Sequence, residues 1–363
     1  MTKEKIPVIS VLRTKPKTVL EDYKKLMHLA EYEQFISKKK ETILKLNLSW
    51  SLYYPACSTE PWQLEGVLKT MIDDGYKNIH PVENRTVVTD VWKGAKGNKW
   101  LPILKKYDQV YEPLTETKWV SFKSKHELLA LDKLFPDDYK LPEIYFGKNV
   151  VHLPTVKTHG HTMMTGAMKN AFGGLITKRR HHSHKIIHEV LVDLLTIQKE
   201  IHLGLFAVMD GTVCGDGKGP RTMEPVIKNI ILAGADQVAI DAISAKMMGF
   251  DPLKIPFIKI AHDKGLGCGD VDQIEITGIS RSDFNSINFN FQTGKSPVVF
   301  FDQLFRKKLK FVEPLIFHTP LFHLCVAGSG IYHDKLWYPT LGKAKIEKFM
   351  NTGWGELWNK YPY

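Results

Sequence analysis

Cysteine is scarce and dispersed in this sequence. The 363 residues contain four cysteines, and no two of them form a Cys-x-x-Cys pair. They are Cys57, Cys214, Cys268 and Cys325. Disulfide frameworks and zinc fingers need closer and more regular spacing than this, which excludes a small disulfide-stabilised secreted domain. We therefore expect a reducing compartment and predict that the protein is cytoplasmic.

Long hydrophobic runs are absent as well. No uninterrupted apolar run approaches the roughly 18 to 20 residues that a membrane span requires. The first residues are polar, and Arg13 and Lys15 interrupt the apolar stretch behind them, so we expect neither a signal peptide nor a transmembrane segment. With 43% hydrophobic and 25% charged residues, the composition predicts a folded globular protein.

Nucleotide-binding signatures are missing from the glycine-rich segments, which are residues 210–220, 233–242 and 265–270. None continues as the Gly-Lys-Ser/Thr of a Walker loop, and none has Gly-x-Gly-x-x-Gly between a strand and a helix. ATP and NAD are therefore not expected. In the second segment Asp236 precedes a helix predicted over Gln237–Met248, and we expect it to be the N-cap.

Positive charge is in excess. Lys and Arg number 50 against 39 Asp and Glu, a formal net charge of +11. The excess lies in Lys38–Lys40, Lys178–Lys185 and Arg306–Lys310. This balance predicts an anionic partner, either a small carboxylate or phosphate metabolite, nucleic acid or a lipid surface. Because no recognition-helix or RNA-binding signature accompanies the clusters, nucleic acid is not the expected partner.

Strand and helix patterns alternate over residues 42–280. Ile43–Leu48 is predicted as a buried strand, Glu60–Gly75 as an amphipathic helix and Asn78–Val82 as the next strand, and the alternation returns further along the chain. Such an order is typical of an α/β protein with an open, mostly parallel, doubly wound sheet and helices on both faces. Residues 1–41 are then an N-terminal extension of this domain.

Residues 281–363 are predicted to be an aromatic and basic C-terminal extension. We expect its rings to pack on the α/β domain. The alternative is a peripheral membrane contact, in which the basic cluster Arg306–Lys310 lies beside the apolar stretch Phe311–Val326. Two prolines interrupt that stretch, so it is not expected to form one long amphipathic helix.

The densest group of reactive side chains follows a predicted strand that ends in Lys157-Thr158-His159. Open α/β sheets bind ligands at the carboxyl ends of their strands. His159 is the expected general acid/base because an imidazole titrates near neutral pH, with His161 as a weaker candidate. Lys157 and Lys169 are expected to hold carboxylate or phosphate oxygens.

Further positions complete the predicted site. A helix predicted to begin near Thr162 would offer its free amides to the anion. Asn170 is a further candidate for chemistry, and Asp210 is expected to orient a histidine or to bind a cation. The other expected substrate-binding residues are Thr158, Thr165, Gly173 and Gly219. The alternative interpretation of the segment is a solvated loop with capping residues.

A histidine cluster provides candidate metal ligands. His184 and His188 are four residues apart, so a helix would place both on one face, where they could share a divalent metal. No Glu follows His184 to make the His-Glu-x-x-His pattern of a metalloprotease. The alternative is an exposed, basic, histidine-rich loop.

Taken together, these motifs are similar to those of the domain-of-unknown-function 362 family over roughly residues 42–278. The resemblance implies the fold and does not specify a reaction. The motifs are Pro-x-x-Lys-Thr-His (154–159), Thr-Gly-Ala-x-Lys-Asn-x-x-Gly (165–173), a histidine near 181 or 184, Asp-Gly (210–211), Gly-Pro (219–220), Asp-x-Val-Ala-x-Asp (236–241) and Gly-Leu-Gly (265–267).

Many members of that family carry a ferredoxin-like module with two four-cysteine runs, and this sequence has none. Two of its dispersed cysteines, Cys214 and Cys268, nevertheless fall in the glycine-rich segments of the resemblance, and Cys57 falls in a predicted turn. If these turns meet at one edge of the sheet, the three thiolates would hold an iron–sulfur cluster or a soft metal.

The sequence therefore predicts an enzyme that acts on a small anionic metabolite by acid/base chemistry, assisted by a metal or an iron–sulfur centre. A lyase, an isomerase or an oxidoreductase is favoured. The alternative is a non-catalytic protein that binds an anionic ligand or polyanion through the basic segment Lys178–Lys185. Convergence of the predicted residues in one closed pocket would favour the enzyme.

Overall fold

The computed structural model describes residues 6–86, 88–136, 138–176, 180–305, 319 and 321–363, and of residues 180–182 and 322 the backbone alone. The described strands are β1 Val8–Arg13, β2 Thr42–Lys45, β3 Ile79–Glu83, β4 Glu112–Pro113, β5 Trp119–Phe122, β6 Tyr139–Pro142, β7 Asn149–His152, β8 Thr155–His159, β9 Met163–Met164, β10 Gly204–Lys218, β11 Thr222–Gly234 and β12 Glu275–Thr277.

The described helices lie between these strands and after them. The α-helices are α1 Val19–Leu29, α2 Pro61–Asp73, α3 Val91–Gly97, α4 Trp100–Lys106, α5 Leu131–Leu134, α6 Ala167–Leu175, α7 Ile187–Ile201, α8 Gln237–Met248, α9 Pro256–Asp263, α10 Arg281–Ser286, α11 Pro297–Gln303, α12 Phe322–Gly330, α13 Lys343–Met350 and α14 Gly353–Lys360. Short 3₁₀ helices occupy Tyr32–Gln34, Leu114–Glu116, Glu143–Tyr145, Arg180–Ile186, Pro252–Lys254 and Val271–Gln273, and a π-helix occupies Ile331–Gly342.

One large sheet organises the molecule. Its strands lie in the order β12-β1-β11-β10-β7-β2-β3-β4, with β8 paired to β10 and β9 paired to β8. Most neighbours are parallel, whereas β11 is antiparallel to β1 and β10, and β9 is antiparallel to β8. Strands β5 and β6 form a separate two-stranded sheet. The predicted α/β fold with a mostly parallel sheet is confirmed.

Helices cover both faces of this sheet. Along β10, Phe206 and Val208 pack into one core, whereas Ala207 and Met209 pack into the other, as the period of two in a strand requires. Residues of α1 and α2 line the first core, and residues of α6 to α9 line the second. Both faces are therefore buried, which explains why the strands are apolar in almost every position.

The N-terminal residues belong to this fold. Strand β1 lies inside the sheet, where it pairs with β11 on one side and with β12 on the other. The predicted boundary at residue 42 is therefore not a boundary of the folded unit, since residues 8–13 supply one of its inner strands.

The sequence predicted that the strand ends at Met209 and that a glycine-rich turn follows. This prediction is wrong, because β10 continues to Lys218 and forms a long hairpin with β11. The glycines are needed for close packing within the strand. A Cβ at Gly211 would lie 2.9 Å from Ile230 Cγ2, and one at Gly215 would lie 2.3 Å from Met223 Sδ. Glycine therefore marks a close approach here, which a sequence pattern does not distinguish from a turn.

Helix α8 matches its predicted bounds. The Asp236 side chain accepts hydrogen bonds from the amides of Val238 and Ala239, and Gly249 ends the helix with a left-handed φ of 96°. The predicted N-cap is therefore confirmed.

The described C-terminal residues pack on the α/β core. Trp354 and Trp358 are buried in the same core as α1 and α2, and the Trp354 indole donates a hydrogen bond to Asn229 Oδ1 (2.7 Å). The predicted basic cluster Arg306–Lys310 lies outside the described residues. Among the described helices, none has both the length and the apolar character that a membrane crossing needs.

Candidate functional site

A cavity of about 580 Å³ opens where three parallel strands end. Lys45, Glu83 and His159 are the last residues of β2, β3 and β8, and each contributes to its wall. Side chains between Pro297 and Tyr332 close the opposite wall. The cavity therefore lies at the edge of the sheet where α/β proteins bind ligands, and the C-terminal extension covers it.

A buried ion pair forms part of the cavity wall. Lys45 Nζ lies 2.8 Å from Glu83 Oε1, and the side chains are 1% and 3% exposed. Glu83 Oε1 also accepts a hydrogen bond from the Asn84 amide, whereas its Oε2 has no hydrogen-bond partner among the described residues. One carboxylate oxygen is thus fixed by two donors, and the other is buried without a hydrogen-bond partner among the described residues.

Gly173 allows α6 to approach this ion pair. A Cβ at Gly173 would lie 3.4 Å from Glu83 Oε1 and 3.5 Å from Lys45 Nζ, and one at Gly174 would lie 2.5 Å from Tyr145 Oη. The Gly173-Gly174 pair therefore allows a close approach to the protein's own side chains. Gly173 also lines the cavity.

A chain of hydrogen bonds connects the cavity wall to the protein interior. Asn170 and Asn47 both line the cavity, and Asn47 Nδ2 donates to Asn170 Oδ1 (3.2 Å). Asn170 Nδ2 donates in turn to Lys45 O and to His152 Nδ1. Both amides are held in one orientation, so they form a rigid part of the wall.

Lys157 is buried behind this wall and does not line the cavity. Its ammonium donates to Asn47 Oδ1 (2.6 Å), Cys57 O (2.6 Å) and Thr155 Oγ1 (2.8 Å), which uses all of its hydrogens. Burial lowers the pKa of Lys157 to about 8. The sequence predicted a direct contact between Lys157 and a substrate anion. In the structure Lys157 acts only indirectly, because it orients Asn47, which lines the cavity.

His159 faces the cavity with one nitrogen only. The backbone amides of His161 and Thr162 donate to its Nδ1 at 3.1 and 3.4 Å, so the hydrogen of the neutral ring belongs on Nε2. Burial lowers the pKa of His159 well below its ordinary value. In this state the ring has a hydrogen on Nε2 to donate, and its role as a general acid/base stays a prediction.

Two further cations line the cavity. Arg221 lies in the β10–β11 turn, and its guanidinium makes no hydrogen bond or ion pair with the residues that the structure describes. Asp334 acts on it only at longer range, and burial lowers the pKa of Arg221 without removing its charge. Lys169 also lines the cavity, and its Nζ lies 5.5 Å from the centre of the Phe172 ring.

Three side chains at the rim of the cavity are close together. His161, His184 and Asp302 each offer one potential ligand atom, and these atoms all lie within 4.8 Å of one another. The rings of His161 and His184 are stacked at 4.6 Å with an interplanar angle of 16°. His161 Nε2 lies 3.8 Å from Asp302 Oδ2.

Comparison with known proteins agrees with the motifs that surround this cavity. The family model described as Domain of unknown function (DUF362) matches residues 42–246, more than half of the chain. The chain belongs to the DUF362 family. A Thylakoid-associated protein of Synechocystis sp. is 25% identical over 176 residues, which are 47% of this chain and 52% of that protein. The chain thus matches about half the length of this relative. No solved structure matches the chain.

The DUF362 match divides the cavity into two parts. The wall that carries Lys45, Glu83, His159 and Arg221 lies within the match, whereas the lining residues from 297–305 and 325–332 lie beyond it. The polar floor is therefore built by the family domain and the largely apolar cover by the C-terminal extension of this chain.

Several predicted residues of the DUF362 motifs hold the fold together and do not line the cavity. Thr158 Oγ1 donates to Gly217 O, and Thr165 Oγ1 donates to Thr155 O. A Cβ at Gly219 would lie 1.7 Å from Thr158 O, so Gly219 fixes the hairpin turn against β8. Thr158, Thr165 and Gly219 were predicted to bind the substrate. In the structure they do not line the cavity and instead help to position His159 and Arg221.

Asp210 lies on the other face of the sheet from its predicted site. Its carboxylate accepts hydrogen bonds from the Tyr23 hydroxyl (2.6 Å), the Trp62 indole (3.0 Å) and Thr212. Burial raises the pKa of Asp210. The expected contact with a histidine or a cation is not made, because these donors surround the carboxylate completely.

The helix amides that were expected to bind an anion are already occupied. Helix α6 begins at Ala167, and its first amides, of Ala167 and Met168, donate to the carboxylate of Asp241 at 2.6 and 3.1 Å. A Cβ at Gly166 would lie 2.3 Å from Asp241 Oδ1. The last Asp of the DUF362 motif thus caps α6, which rules out an external anion at this helix end.

The cysteines predicted to hold a cluster have separate surroundings. Cys57 Sγ donates to Pro220 O and packs with Met223, whereas Cys214 Sγ donates to Gly211 O and belongs to the core on the opposite face of the hairpin. Cys268 Sγ donates to Asp270 O. The three thiols therefore have different surroundings, and one iron–sulfur cluster shared by them stays a prediction that this arrangement does not support.

His184 and His188 do not share one helix face, as a pair of metal ligands on a helix would require. Helix α7 begins only at Ile187, so His184 lies in the preceding 3₁₀ segment, and the helical i, i+4 geometry does not apply. The His188 ring stacks on Phe257, whereas His184 stacks on His161.

Four residues that no sequence pattern identified complete the site. Lys45 lies in the mostly apolar strand that was predicted over Ile43–Leu48. Because a lysine is rarely buried without a partner, it could have been predicted as a site residue. Glu83 ends the neighbouring strand at the same edge, which is a second usable signal. Arg221 and Asp302 carry no comparable signal, because their position depends on how a hairpin and a distant helix dock.

Proposed function

We propose that the chain is an enzyme acting on a small anionic metabolite, bound in this cavity by a carboxylate or phosphate group. The observation that carries the proposal is the guanidinium of Arg221, which faces the cavity without a partner among the described residues. A half-buried arginine with unused donors favours a bidentate anion. Lys169 adds a second positive charge to the same wall.

The charges of the lining agree with this proposal. Lys45, Lys169 and Arg221 contribute three positive charges, and Glu83 and Asp302 contribute two negative ones, which leaves a net charge of +1. The covering residues are mostly apolar, among them Val298, Val299 and Phe305. We therefore expect the substrate to have an anionic head and an apolar body.

The proposed chemistry is proton transfer between two groups on the cavity floor. Glu83 Oε2 is buried and unbonded among the described residues, and Lys45 holds the other oxygen, so Glu83 is the proposed base. His159 donates from Nε2 and would polarise a carbonyl or carboxylate oxygen as the proton leaves. This arrangement suits a lyase or an isomerase.

Conversion of a metabolite mixture tests the proposal. Purified protein is incubated with small carboxylates and phosphates, and mass spectrometry follows their consumption. We expect one component to be converted, and we expect His159→Gln to lower the rate by roughly 10²- to 10⁴-fold. The matched control is His188→Gln, whose ring lies outside the cavity lining and should leave the rate unchanged.

Binding without conversion would contradict the enzyme and favour the alternative, a non-catalytic binding protein for an anionic ligand or polyanion. The basic segment on which that alternative depends, Lys178–Lys185, lies partly outside the described residues. Retention of an unchanged anion or polyanion would be the signature of this alternative.

We also propose a peripheral membrane contact for the C-terminal region. Leu324, Ile331, Leu336 and Leu341 are 56% to 68% exposed, and exposed apolar side chains in such number favour a lipid surface or a partner protein. The Synechocystis relative is named a Thylakoid-associated protein, which supports a lipid surface as the partner. All four cysteines are free thiols, which is consistent with the cytoplasmic side.

Vesicle flotation tests this contact. Vesicles with anionic lipid should carry the wild type upward, whereas the double variant Leu324→Ser with Leu336→Ser should stay in the dense fraction. Equal flotation of both proteins, or flotation of neither, would contradict a contact through these side chains.

A further inference from the structure

The triad of His161, His184 and Asp302 combines residues from distant parts of the chain. His161 follows β8, His184 lies in the 3₁₀ segment before α7, and Asp302 lies in α11 of the C-terminal extension. All three side chains are partly buried and line the cavity. Two imidazoles and one carboxylate thus meet at the rim, with their ligand atoms within 4.8 Å of one another.

Helix α11 is docked so that Asp302 faces His161. Gln303 Nε2 donates to Gly160 O (2.9 Å), and Val299 packs against Gly160, where a Cβ would lie 2.8 Å from Val299 Cγ1. A hydrogen bond and an apolar contact therefore attach this helix to the residue next to His161. Both contacts are to Gly160, so they hold the helix and its carboxylate beside His161.

We propose that this triad binds a divalent transition metal of the zinc type. Imidazole nitrogens together with one carboxylate oxygen suit Zn²⁺ and its first-row neighbours, whereas Ca²⁺ and Mg²⁺ prefer mostly oxygen ligands. Three protein ligands leave a coordination position open, which is typical of a catalytic metal. Because the triad lines the cavity, that position faces the proposed substrate.

The side chains must move slightly to accept the metal. Bonds of about 2.0 to 2.1 Å place tetrahedral ligand atoms roughly 3.3 Å apart, so separations of up to 4.8 Å must close by about 1 to 1.5 Å. A metal also lies in the plane of each imidazole that binds it. The stacked rings of His161 and His184 must therefore turn out of their stack, which side-chain rotation permits.

Metal binding and the proposed function are linked but can be tested separately. An open metal position would hold an oxygen of the anion, and this part of the inference rests on the proposed function. Binding of the metal itself requires only the triad. The experiment therefore measures metal binding in the absence of any anionic ligand.

Cobalt titration of the full chain provides the test. Protein treated with a chelator and then desalted is titrated with Co²⁺, and the visible absorption of the metal reports both stoichiometry and geometry. We expect one Co²⁺ per chain with the intense absorption of a low-coordinate site, and displacement of Co²⁺ by Zn²⁺. Affinity for Zn²⁺ is then measured by competition with a chromophoric chelator.

Variants assign the ligands. His184→Ala and Asp302→Ala should each lower Zn²⁺ affinity by at least about 100-fold, since even outer partners of a metal site change affinity by about 10- to 100-fold. His188→Ala is the matched control, because this histidine is four residues from His184 but stacks on Phe257. It should keep the affinity of the wild type. Thermal unfolding without metal verifies that each variant is folded.

Three results would overturn the inference. The first is no stoichiometric binding of Co²⁺ or Zn²⁺ by the wild type. The second is an equal loss of affinity in His188→Ala and His184→Ala, which would indicate adventitious binding by surface histidines. The third is full affinity in folded Asp302→Ala, which would remove the carboxylate from the site and with it the role of the extension.

Discussion

At the scale of single residues, the lysines of two neighbouring motifs have different surroundings. Lys157 is fully buried and donates to three acceptors, whereas Lys169 is partly exposed and lines the cavity. We expect Lys157→Met to lower the free energy of unfolding by about 3 kcal/mol, because it leaves buried acceptors unsatisfied. Lys169→Met should change it by less than about 1 kcal/mol.

Urea denaturation at neutral pH measures both values. The roles would be reversed if Lys169→Met were the strongly destabilised variant. An equally stable Lys157→Met would show that water or a rearranged Asn47 satisfies the acceptors, and the indirect role of Lys157 would then be wrong.

His152 predicts a pH dependence of stability. Burial lowers its pKa to about 4, and its Nε2 is hydrogen-bonded to Gln198 Oε1 (2.7 Å). Between pH 6.5 and 4 the unfolded chain binds a proton that the folded chain does not, so stability falls as the pH falls through this window. The contribution of this residue is about 3 kcal/mol.

Denaturation curves at pH 7 and pH 4 for the wild type and His152→Gln isolate this contribution. Other groups titrate in the same range in both proteins, so the difference between the two pH dependences is the informative quantity. We expect the variant to lose about 3 kcal/mol less than the wild type over this range. Identical losses would contradict the assignment.

At the scale of elements, the β10–β11 hairpin connects the two sides of the site. Gly219 at its turn is in contact with the Thr158 backbone, where a Cβ would lie 1.7 Å from the carbonyl oxygen. Gly219→Ala should therefore cost about 3 kcal/mol and displace Arg221 relative to His159. Gly330→Ala is the control, because a Cβ there meets nothing within 4 Å, and it should be neutral or slightly stabilising.

Chemical denaturation of both variants distinguishes a packing effect from a general intolerance of the chain to glycine substitution. Comparable stabilities of Gly219→Ala and the wild type would mean that the turn adapts easily. The hairpin would then not be what positions Arg221.

Elements with strong local patterns could be predicted from the sequence. Helix α8 has both an N-cap and a terminating glycine, and its predicted bounds agree with the structure. Helix α6 begins five residues later than predicted, because the cap that starts it, Asp241, is 74 residues away from Ala167 along the chain. Periodicity and nearby residues identify an element, whereas a distant cap remains invisible to them.

The candidate site shows the same division between local and distant information. His159, Lys169 and Asn170 could be placed at the sheet edge, since strand ends collect polar side chains there. Their partners could not be predicted in the same way. Arg221 and Asp302 reach the cavity from a long hairpin and from the C-terminal extension, and no spacing in the sequence relates them to His159.

At the scale of the whole molecule, the family domain is completed by residues on both sides of it. The match covers residues 42–246, yet β1 lies inside the sheet, and side chains from residues 297–305 and 325–332 line the cavity. The polar floor is therefore a property of the family region, and on the proposed function we expect the cover to select the apolar body of the substrate. Relatives with other C-terminal segments should differ in substrate more than in chemistry.

Calorimetric titration with an amphiphilic anion tests the central claim most directly. Octyl phosphate, which has an anionic head and an apolar body, is titrated into the wild type, Arg221→Gln and Arg13→Gln. Arg13 is exposed at the end of β1 and does not line the cavity, so its variant controls for the change in net charge. Arg221→Gln should weaken binding by about 10- to 100-fold, since a charged hydrogen bond contributes about 1.5 to 3 kcal/mol, and Arg13→Gln should bind like the wild type. No binding by the wild type, or equal affinity in all three proteins, would contradict the account of this cavity as an anion-binding site.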